Sequence, residues 1–412
     1  MCHYSLGYDK IEICTEKSEN SLYCLEGVNV LRIIVAPDSF KGSVSALGVA
    51  NAMERGILTI FPDAEVIKIP IADGGEGTVE AMVTATGGRM ITETVIGPLG
   101  ETVEAFWGIL GDDSIAVIEM AAASGLPLVP IDQRDPRITT TYGTGQLIKA
   151  ALNAGMSNII IGIGGSATND GGVGMAQALG ARFLDAEGQE IPYGGGALAK
   201  LHKIDLTGLD HRLLETEITV ACDVDNPLCG ICGASAVYGP QKGATAEMIE
   251  ELDAGLKKYA QIAHEVTGKD IIECPGAGAA GGLGAGLLFF TNAKLRPGVD
   301  IILEITNFSD LVSSAQLVIT GEGRTDFQTA YGKAPVGVAK LAKQYNVPVV
   351  CLSGGLGTGA DDVLQHGIDG IMSVIPQPMP LEECMKKGAE LIEAGAARLC
   401  RILAVGKKIN SL

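Results

Sequence analysis

Short β-branched runs alternate with stretches of helical periodicity from Leu31 onward. The run LRIIVAP is followed by SALGVANAMERGIL and then by AEVIKIPIA, which predicts a strand, a helix and a second strand. A unit of this kind places its two strands in parallel and buries them between helices. The pattern therefore predicts an α/β fold.

The same alternation returns near the end of the chain, as LVITG, PVGVAKLAKQY and VPVVCLSG, whereas the middle is richer in Thr-Glu-Val alternation and glycine loops. A length of 412 residues suits two or three domains. We predict a discontinuous Rossmann-like parallel-sheet domain, 31–72 plus 291–412, with a second α/β domain, 73–290, inserted, and an active-site cleft between the two. Residues 1–30 show no periodic apolar face, so we expect a disordered, dispensable extension.

A glycine-rich loop, IGIGGSATNDGG, follows the apolar run that ends at Ile161. Five glycines in twelve residues allow a close approach to the backbone and turns that gather N–H groups into an anion site. Gly162, Gly164 and Ala167, with Asp185 further on, also fit a dinucleotide-binding pattern, which leaves an NAD-dependent oxidoreductase as an alternative. The polar stretch Asn169-Asp-Gly-Gly172 argues against this alternative, because these residues interrupt the smooth helix start that a dinucleotide-binding loop requires.

Other polar, glycine-bearing loops also follow predicted strands, and their side chains suit phosphoryl transfer, in which an enzyme mainly positions groups and neutralises charge. Lys41 and Arg324 are cations able to hold phosphate or carboxylate oxygens. Asp170, Asp223 and Asp225 are carboxylates able to hold Mg²⁺ or accept a hydroxyl proton. No Walker-type nucleotide motif and no Ser-His-Asp set is present.

Structural interpretations compete with these functional ones. Asp73 and Asp170 are also typical of turns and helix caps. Arg324, which lies between two acidic residues, also fits a surface ion pair. Lys242, in the turn GPQKG, also fits a solvated turn lysine.

Charge and cysteine usage restrict the partners. The formal net charge of −19 argues against a nucleic acid or an anionic membrane as partner. No apolar run of membrane-spanning length and no secretory signal is found, so we expect a cytoplasmic protein. Cys222, Cys229 and Cys232 do not complete a zinc set, and we expect the thiols to be reduced. The sequence leaves the oligomeric state open and allows a homo-oligomer.

Taken in order, eight motifs between residues 31 and 400 resemble the glycerate kinase family of the bacterial type I kind. They are APDSFKGSVSA, DGGEGT, EMAAASGL, TTTYGTG, IGIGGSATNDGG, CDVDNPLCG with GPQKGA, PGAGAAGGLGAGL, and ITGEGRTDFQT with GKAP. The resemblance implies ATP-dependent phosphorylation of D-glycerate with Mg²⁺, and it favours 2-phosphoglycerate as product. A non-enzymatic, two-domain sugar-acid-binding protein is a further alternative, because a cleft between α/β domains would serve it too.

Within these motifs we predict three catalytic residues, Asp170, Lys41 and Arg324, and two metal ligands, Asp223 and Asp225. The N–H groups of Gly164 to Ala167 are expected to hold a phosphate or the substrate carboxylate, with Asp170 turned toward Mg²⁺ or the reacting hydroxyl. The predicted substrate- and phosphate-binding residues are Ser39, Asp73, Gly74, Gly75, Thr144, Gly164, Gly165, Ser166, Lys242, Gly281, Gly282 and Glu322.

Overall fold

The computed structural model of the chain describes residues 30–72, 74–331 and 333–409. The predicted N-terminal extension lies outside the described residues except for Val30. Asp73, one of the predicted binding residues, lies outside them as well.

The strands of the described residues, in chain order, run from β1 to β15. They are β1 (Arg32–Pro37), β2 (Glu65–Lys68), β3 (Arg89–Ile96), β4 (Thr102–Ile109), β5 (Ile115–Glu119), β6 (Asn158–Gly162), β7 (Arg182–Leu184), β8 (Lys203–Asp205), β9 (Glu217–Ala221), β10 (Lys294–Arg296), β11 (Leu317–Gly321), β12 (Arg324–Thr325), β13 (Val349–Ser353), β14 (Gly355–Leu356) and β15 (Gly370–Ser373).

The α-helices of the same residues run from α1 to α13. They are α1 (Ala46–Leu58), α2 (Thr78–Thr86), α3 (Ala121–Ser124), α4 (Tyr142–Asn153), α5 (Val173–Ala178), α6 (Ala234–Tyr238), α7 (Ala246–Thr267), α8 (Ala279–Phe290), α9 (Gly298–Ile305), α10 (Phe308–Val312), α11 (Ala334–Gln344), α12 (Leu381–Lys386) and α13 (Gly388–Ile409). None of these helices is both long enough and apolar enough to cross a bilayer.

One sheet has five strands in the order β15-β13-β11-β1-β2, and every neighbouring pair is parallel. Its strands come from the beginning and the end of the described chain, as the returning alternation predicted. Successive side chains of β1 point to opposite faces of the sheet. Ile33 and Val35 pack with Met53 and Ile392 of the flanking helices, and Ile34 packs in the core on the other face.

A second sheet has six strands in the order β10-β9-β6-β5-β4-β3. Strands β5, β6, β9 and β10 are parallel, whereas β3 and β4 form an antiparallel edge hairpin. The alternating segment ITETVIGPLGETVEAFWGI forms this hairpin, with exposed polar residues on one face. Because β10 pairs with β9, this sheet continues to Arg296, past the predicted domain boundary at residue 290.

The two sheets share apolar packing, since Ile34 of β1 and Val117 of β5 belong to one continuous core. Both sheets present the carboxyl ends of parallel strands, where ligand sites of α/β proteins form. The loop after β1 lies at that edge of the first sheet, and the loops after β5, β6 and β9 lie at that edge of the second. The structure therefore confirms an α/β protein built on two sheets, with glycine loops where they meet.

Candidate active site

One cavity near the carboxyl ends of the strands has a volume of about 650 Å³. Its wall includes residues 41–47, which lead from the loop after β1 into the first turn of α1, and residues 75–77, which precede α2. Of the predicted site residues, those on this wall are Ser39, Lys41, Gly75, Gly164 and Gly165.

A second cavity, of about 200 Å³, lies against the loop that follows β6. Its wall includes Gly164, Gly165, Ser166 and Asp223 of the predicted residues. Gly164 and Gly165 line both cavities, so the two cavities meet at this pair. We call the pair the glycine ridge.

The close approach that the glycines of this loop allow is made by another loop of the protein. The Gly164 N–H donates to the Gly74 carbonyl oxygen over 3.0 Å. A Cβ atom added to Gly164 would lie 2.8 Å from the Gly75 Cα, and one on Gly162 would lie 2.5 Å from the Gly74 oxygen. The space that we expected a ligand to fill at Gly164 is therefore occupied by residues 74 and 75.

Gly165 is needed for a different reason, because its φ of +76° is a conformation that other residues rarely adopt. The Gly164 N–H and the Ala167 N–H are already bonded, to Gly74 and Ser124 respectively. Within the described residues, the N–H groups of Gly165 and Ser166 have no hydrogen-bond partner. Two adjacent donors, on a loop that borders both cavities, are thus available to an anion.

Asp170 does not line either cavity. It is 1% exposed, and its carboxylate accepts hydrogen bonds from the Thr141 N–H at 2.8 Å, the Thr141 hydroxyl at 2.9 Å and the Gly172 N–H at 3.1 Å. Burial raises the pKa of this carboxyl group, and the hydrogen bonds oppose that change. The geometry matches the capping alternative, because the carboxylate joins the starts of α4 and α5. The catalytic role of Asp170 stays a prediction.

Lys242 is buried rather than solvated, with 1% of its surface exposed. Its ammonium donates to the Ser166 hydroxyl at 2.7 Å and to the Thr168 carbonyl oxygen at 2.6 Å. Burial lowers the pKa of Lys242 to about 7, while the charge of Asp170 acts in the opposite direction. Lys242 therefore holds Ser166 and Thr168, which follow the glycine ridge, from the inside of the protein.

The predicted residues after β11 line neither cavity. Glu322 is nearly buried, accepts from the Thr329 hydroxyl at 2.6 Å, and has a pKa that burial raises. Arg324 is exposed, and its guanidinium lies 3.6 Å from Asp326, as the ion-pair interpretation suggests. Their loop still lies close to the larger cavity, because a Cβ on Gly323 would lie 3.6 Å from the backbone nitrogen of Lys41.

Three further predicted residues are packed inside the protein. The buried Thr144 hydroxyl donates to Ser124 over 3.0 Å. A Cβ on Gly281 would lie 1.9 Å from the Thr168 oxygen, and one on Gly282 would lie 2.8 Å from the Gly171 Cα. The glycine-rich turn at the start of α8 thus supports the inner side of the loop after β6.

The two predicted metal ligands follow β9. Asp223 lies on the wall of the smaller cavity, where it also accepts from the Gly298 N–H over 2.8 Å. Asp225 is exposed and lines neither cavity. Within the described ranges, no cluster of three or more His, Cys, Asp or Glu residues could hold a metal ion.

Glu119, at the carboxyl end of β5, was not among the predicted site residues. It is 2% exposed, and its Oε1 accepts from the Val79 N–H at 2.6 Å. Burial raises its pKa to about 7, and the negative charges of Glu76 and Glu80 add to that effect. Glu119 thus caps α2, whose own N-cap residue, Gly77, has no side chain for the purpose. In the sequence, a single carboxylate directly after the apolar run IAVI is the feature that could have indicated Glu119.

Comparisons with known proteins assign the class. The family model described as "Glycerate kinase family" matches residues 33–404. A glycerate kinase of Bacillus subtilis (strain 168) is 55% identical over 92% of this chain and 99% of its own length. A glycerate 2-kinase of Escherichia coli (strain K12) is 51% identical, with the same coverage of both chains.

A solved structure agrees with these relatives. The crystal structure of a candidate glycerate kinase 2 from Salmonella typhimurium LT2 has a TM-score of 0.83 at 52% identity, and it covers 92% of this chain and 100% of the other. The fold and the relatives define an ATP-dependent kinase. The chain belongs to the glycerate kinase family, and neither the NAD-dependent nor the non-enzymatic alternative gains support.

Proposed function

We propose that this kinase transfers the γ-phosphoryl group of ATP to the 2-hydroxyl of D-glycerate, giving 2-phosphoglycerate and ADP, in the cytoplasm. The name of the Escherichia coli relative, glycerate 2-kinase, supports the choice of hydroxyl. The observation that carries the proposal is the glycine ridge, where two cavities meet beside two available N–H donors. Phosphoryl transfer requires donors of this kind close to the oxygens that gain charge.

Lys41 supplies the positive charge of the site in this proposal. It lines the larger cavity in the loop that leads into α1. An ammonium at that place would bind phosphate oxygens through charge-assisted hydrogen bonds, and the start of α1 would add its partial positive charge. Lys41 and the ridge N–H groups would together hold the transferring group between donor and acceptor.

The residues present fit Mg²⁺ that arrives with the nucleotide. Proteins usually hold Mg²⁺ through one or two carboxylates together with substrate phosphates. Asp223 on the wall of the smaller cavity would be one such ligand, and Asp225, exposed two residues further along, would be the second. Bound there, Mg²⁺ would neutralise phosphate charge.

Asp170 enters the proposal as a positioning residue. Its carboxylate joins Thr141 to Gly172, and its charge faces the buried Lys242, which in turn holds Ser166. We assign no general base, since a loose transition state needs little proton removal before the phosphoryl group is transferred.

We also propose two α/β domains. The strands of the five-stranded sheet come from residues 32–68 and 317–373, and those of the six-stranded sheet from residues 89–296. This division supports an inserted domain close to 73–290 within an outer domain of 31–72 plus 291–412. The insert would then extend a few residues further, to include β10.

Purified protein tests the proposed activity when it is supplied with ATP, Mg²⁺ and D-glycerate and ADP release is followed by a coupled assay. Reactions without acceptor, with L-glycerate, and with lactate or 3-hydroxypropionate, each of which has only one of the two hydroxyls, serve as controls. We expect ADP release with D-glycerate. If the 2-hydroxyl is the one that reacts, lactate should also support ADP release, whereas 3-hydroxypropionate should not. Release no faster than without acceptor, across all these acids, would refute the proposal.

A further inference from the structure

The two cavities that meet at the glycine ridge differ in size and in chemistry. The larger, of about 650 Å³, lies within the range of about 300–1,000 Å³ that is usual for sites of larger organic ligands. The smaller, of about 200 Å³, lies below that range and suits a three-carbon acid better than a nucleotide.

One part of the wall of the larger cavity has groups that suit the base and the ribose of a nucleotide. Phe106 of β4 is 38% exposed and lines the cavity, and an aromatic ring on a cavity wall can stack on a base. Glu80 of α2 lies on the same wall, and α2 packs against β4. A carboxylate beside a stacked base can accept hydrogen bonds from ribose hydroxyls.

Phosphates would be held by a different part of the same wall. Lys41 and Ser45 come from the segment between β1 and α1, where Ser45 is the N-cap of a helix of 13 residues. The available Gly165 N–H marks the place where this cavity meets the smaller one. A triphosphate that extends from Phe106 toward Lys41 would thus have donors available to its terminal group.

The smaller cavity has the groups that recognise a hydroxy acid. Ser166, Tyr238 and Gln241 line it with uncharged hydrogen-bonding side chains, on a wall that also carries Asp223, the proposed Mg²⁺ ligand. The Tyr238 hydroxyl donates to Asn226 over 2.6 Å, so its oxygen remains able to accept a bond from a substrate hydroxyl. The Gly165 and Ser166 N–H groups would meet an oxygen of the acid at the other end.

From these differences we propose that ATP occupies the larger cavity, with adenine against Phe106, and that D-glycerate occupies the smaller one, against Tyr238 and Gln241. This assignment rests on the proposed function. It makes the glycine ridge the place where the terminal phosphoryl group passes from one cavity to the other.

Two matched variants separate the two sites. Phe106→Leu keeps an apolar side chain but removes the stacking face, and Gln241→Leu keeps the approximate size but removes the amide. We expect Phe106→Leu to weaken binding of a non-hydrolysable ATP analogue, measured by calorimetry, about tenfold, since base stacking on an aromatic ring contributes that much or more. Its KM for D-glycerate should stay within about twofold. Gln241→Leu should instead raise the KM for D-glycerate and leave binding of the ATP analogue within about twofold.

A second probe tests the orientation of the nucleotide. Adenosine carries the base without phosphates, and pyrophosphate carries phosphates without the base. Phe106→Leu should weaken inhibition by adenosine and leave inhibition by pyrophosphate unchanged, whereas Lys41→Ala should do the opposite. Equal effects of both variants on both inhibitors would overturn the proposed orientation.

The outcomes also separate this assignment from the activity itself. A wild-type enzyme that turns over D-glycerate, but in which Gln241→Leu weakens the nucleotide and Phe106→Leu weakens glycerate, would overturn the assignment and leave the proposed function intact. A wild-type protein that shows no turnover would refute the function, while calorimetry with the ATP analogue would still test the larger cavity.

Discussion

Glu119→Gln should make the stability of this protein less dependent on pH. The side chain is buried, its pKa is raised from 4.5 to about 7, and its Oε1 accepts the Val79 N–H. The fold therefore favours the protonated carboxyl, while the unfolded chain ionises near the ordinary value. Stability from this group is present below about pH 4.5 and is lost as the pH rises toward 7.

The magnitude follows from the two pKa values. Each pH unit between them corresponds to about 1.4 kcal/mol, so the full loss is about 3 kcal/mol. Glutamine keeps an oxygen for the Val79 N–H and cannot ionise. Part of this loss has already occurred at pH 5, so the free energy of unfolding of Glu119→Gln, relative to wild type, should be higher by about 2.5 kcal/mol at pH 8 than at pH 5.

Urea unfolding at pH 5, 6, 7 and 8 measures this difference. Trp107 is the single tryptophan, is 1% exposed, and lies in β4 of the same sheet as Glu119, so its fluorescence reports the relevant transition. Glu101→Gln is the matched control, because Glu101 is exposed in the turn of the β3–β4 hairpin and is not among the charges that act on Glu119. An equal difference between Glu119→Gln and wild type at every pH would refute the reasoning.

Three other predictions concern the site and the N-terminal extension. Lys41→Ala should lower kcat/KM about 30-fold, equivalent to about 2 kcal/mol of transition-state stabilisation, with an unchanged circular dichroism spectrum; activity within twofold of wild type would make Lys41 a solvated lysine. Asp170→Asn turns an amide donor toward N–H groups and should lower the free energy of unfolding, measured with urea, by about 1–3 kcal/mol. A 100-fold loss of kcat at unchanged stability would instead support catalysis by Asp170. Deleting residues 1–29 should leave the melting temperature and turnover nearly unchanged, and a drop of several degrees would show that they pack.

Several strands of both sheets could be predicted because buried parallel strands have a strong local signal. Runs such as RIIVAP and LVITG are short, apolar and β-branched, and both became central strands of the five-stranded sheet. The short strand β10 was missed at the proposed domain boundary. Its three residues, KLR, have little pattern of their own and form a strand by pairing with β9.

The glycine loop shows where local patterns stop being informative. Its glycines indicated a close approach to the backbone, and that was correct, but the nearest neighbour at Gly164 is the distant loop 74–75 rather than a ligand. Which N–H groups stay available depends on those tertiary contacts. The sequence therefore located the loop, while only the fold distinguished Gly165 and Ser166 from Gly164 and Ala167.

Burial of charged residues was the other feature that the sequence could not supply. Lys242 lies in a Pro-Gly turn, where a lysine is usually solvated, yet it is buried behind Ser166. Glu119 lies at the end of a strand, and its partner, Val79, comes from a helix some forty residues earlier in the chain. Both depend on long-range packing, which a single sequence does not specify.

The phosphorus NMR spectrum of the product tests the central claim most directly. The purified enzyme is incubated with ATP, Mg²⁺ and D-glycerate, and the proton-coupled ³¹P spectrum is followed as ADP forms. Phosphate on the 2-hydroxyl is attached to a carbon with one hydrogen, so the account predicts a new phosphomonoester doublet that grows with ADP. A triplet would show transfer to the 3-hydroxyl and contradict the proposed product, and ADP with inorganic phosphate alone would contradict transfer to glycerate.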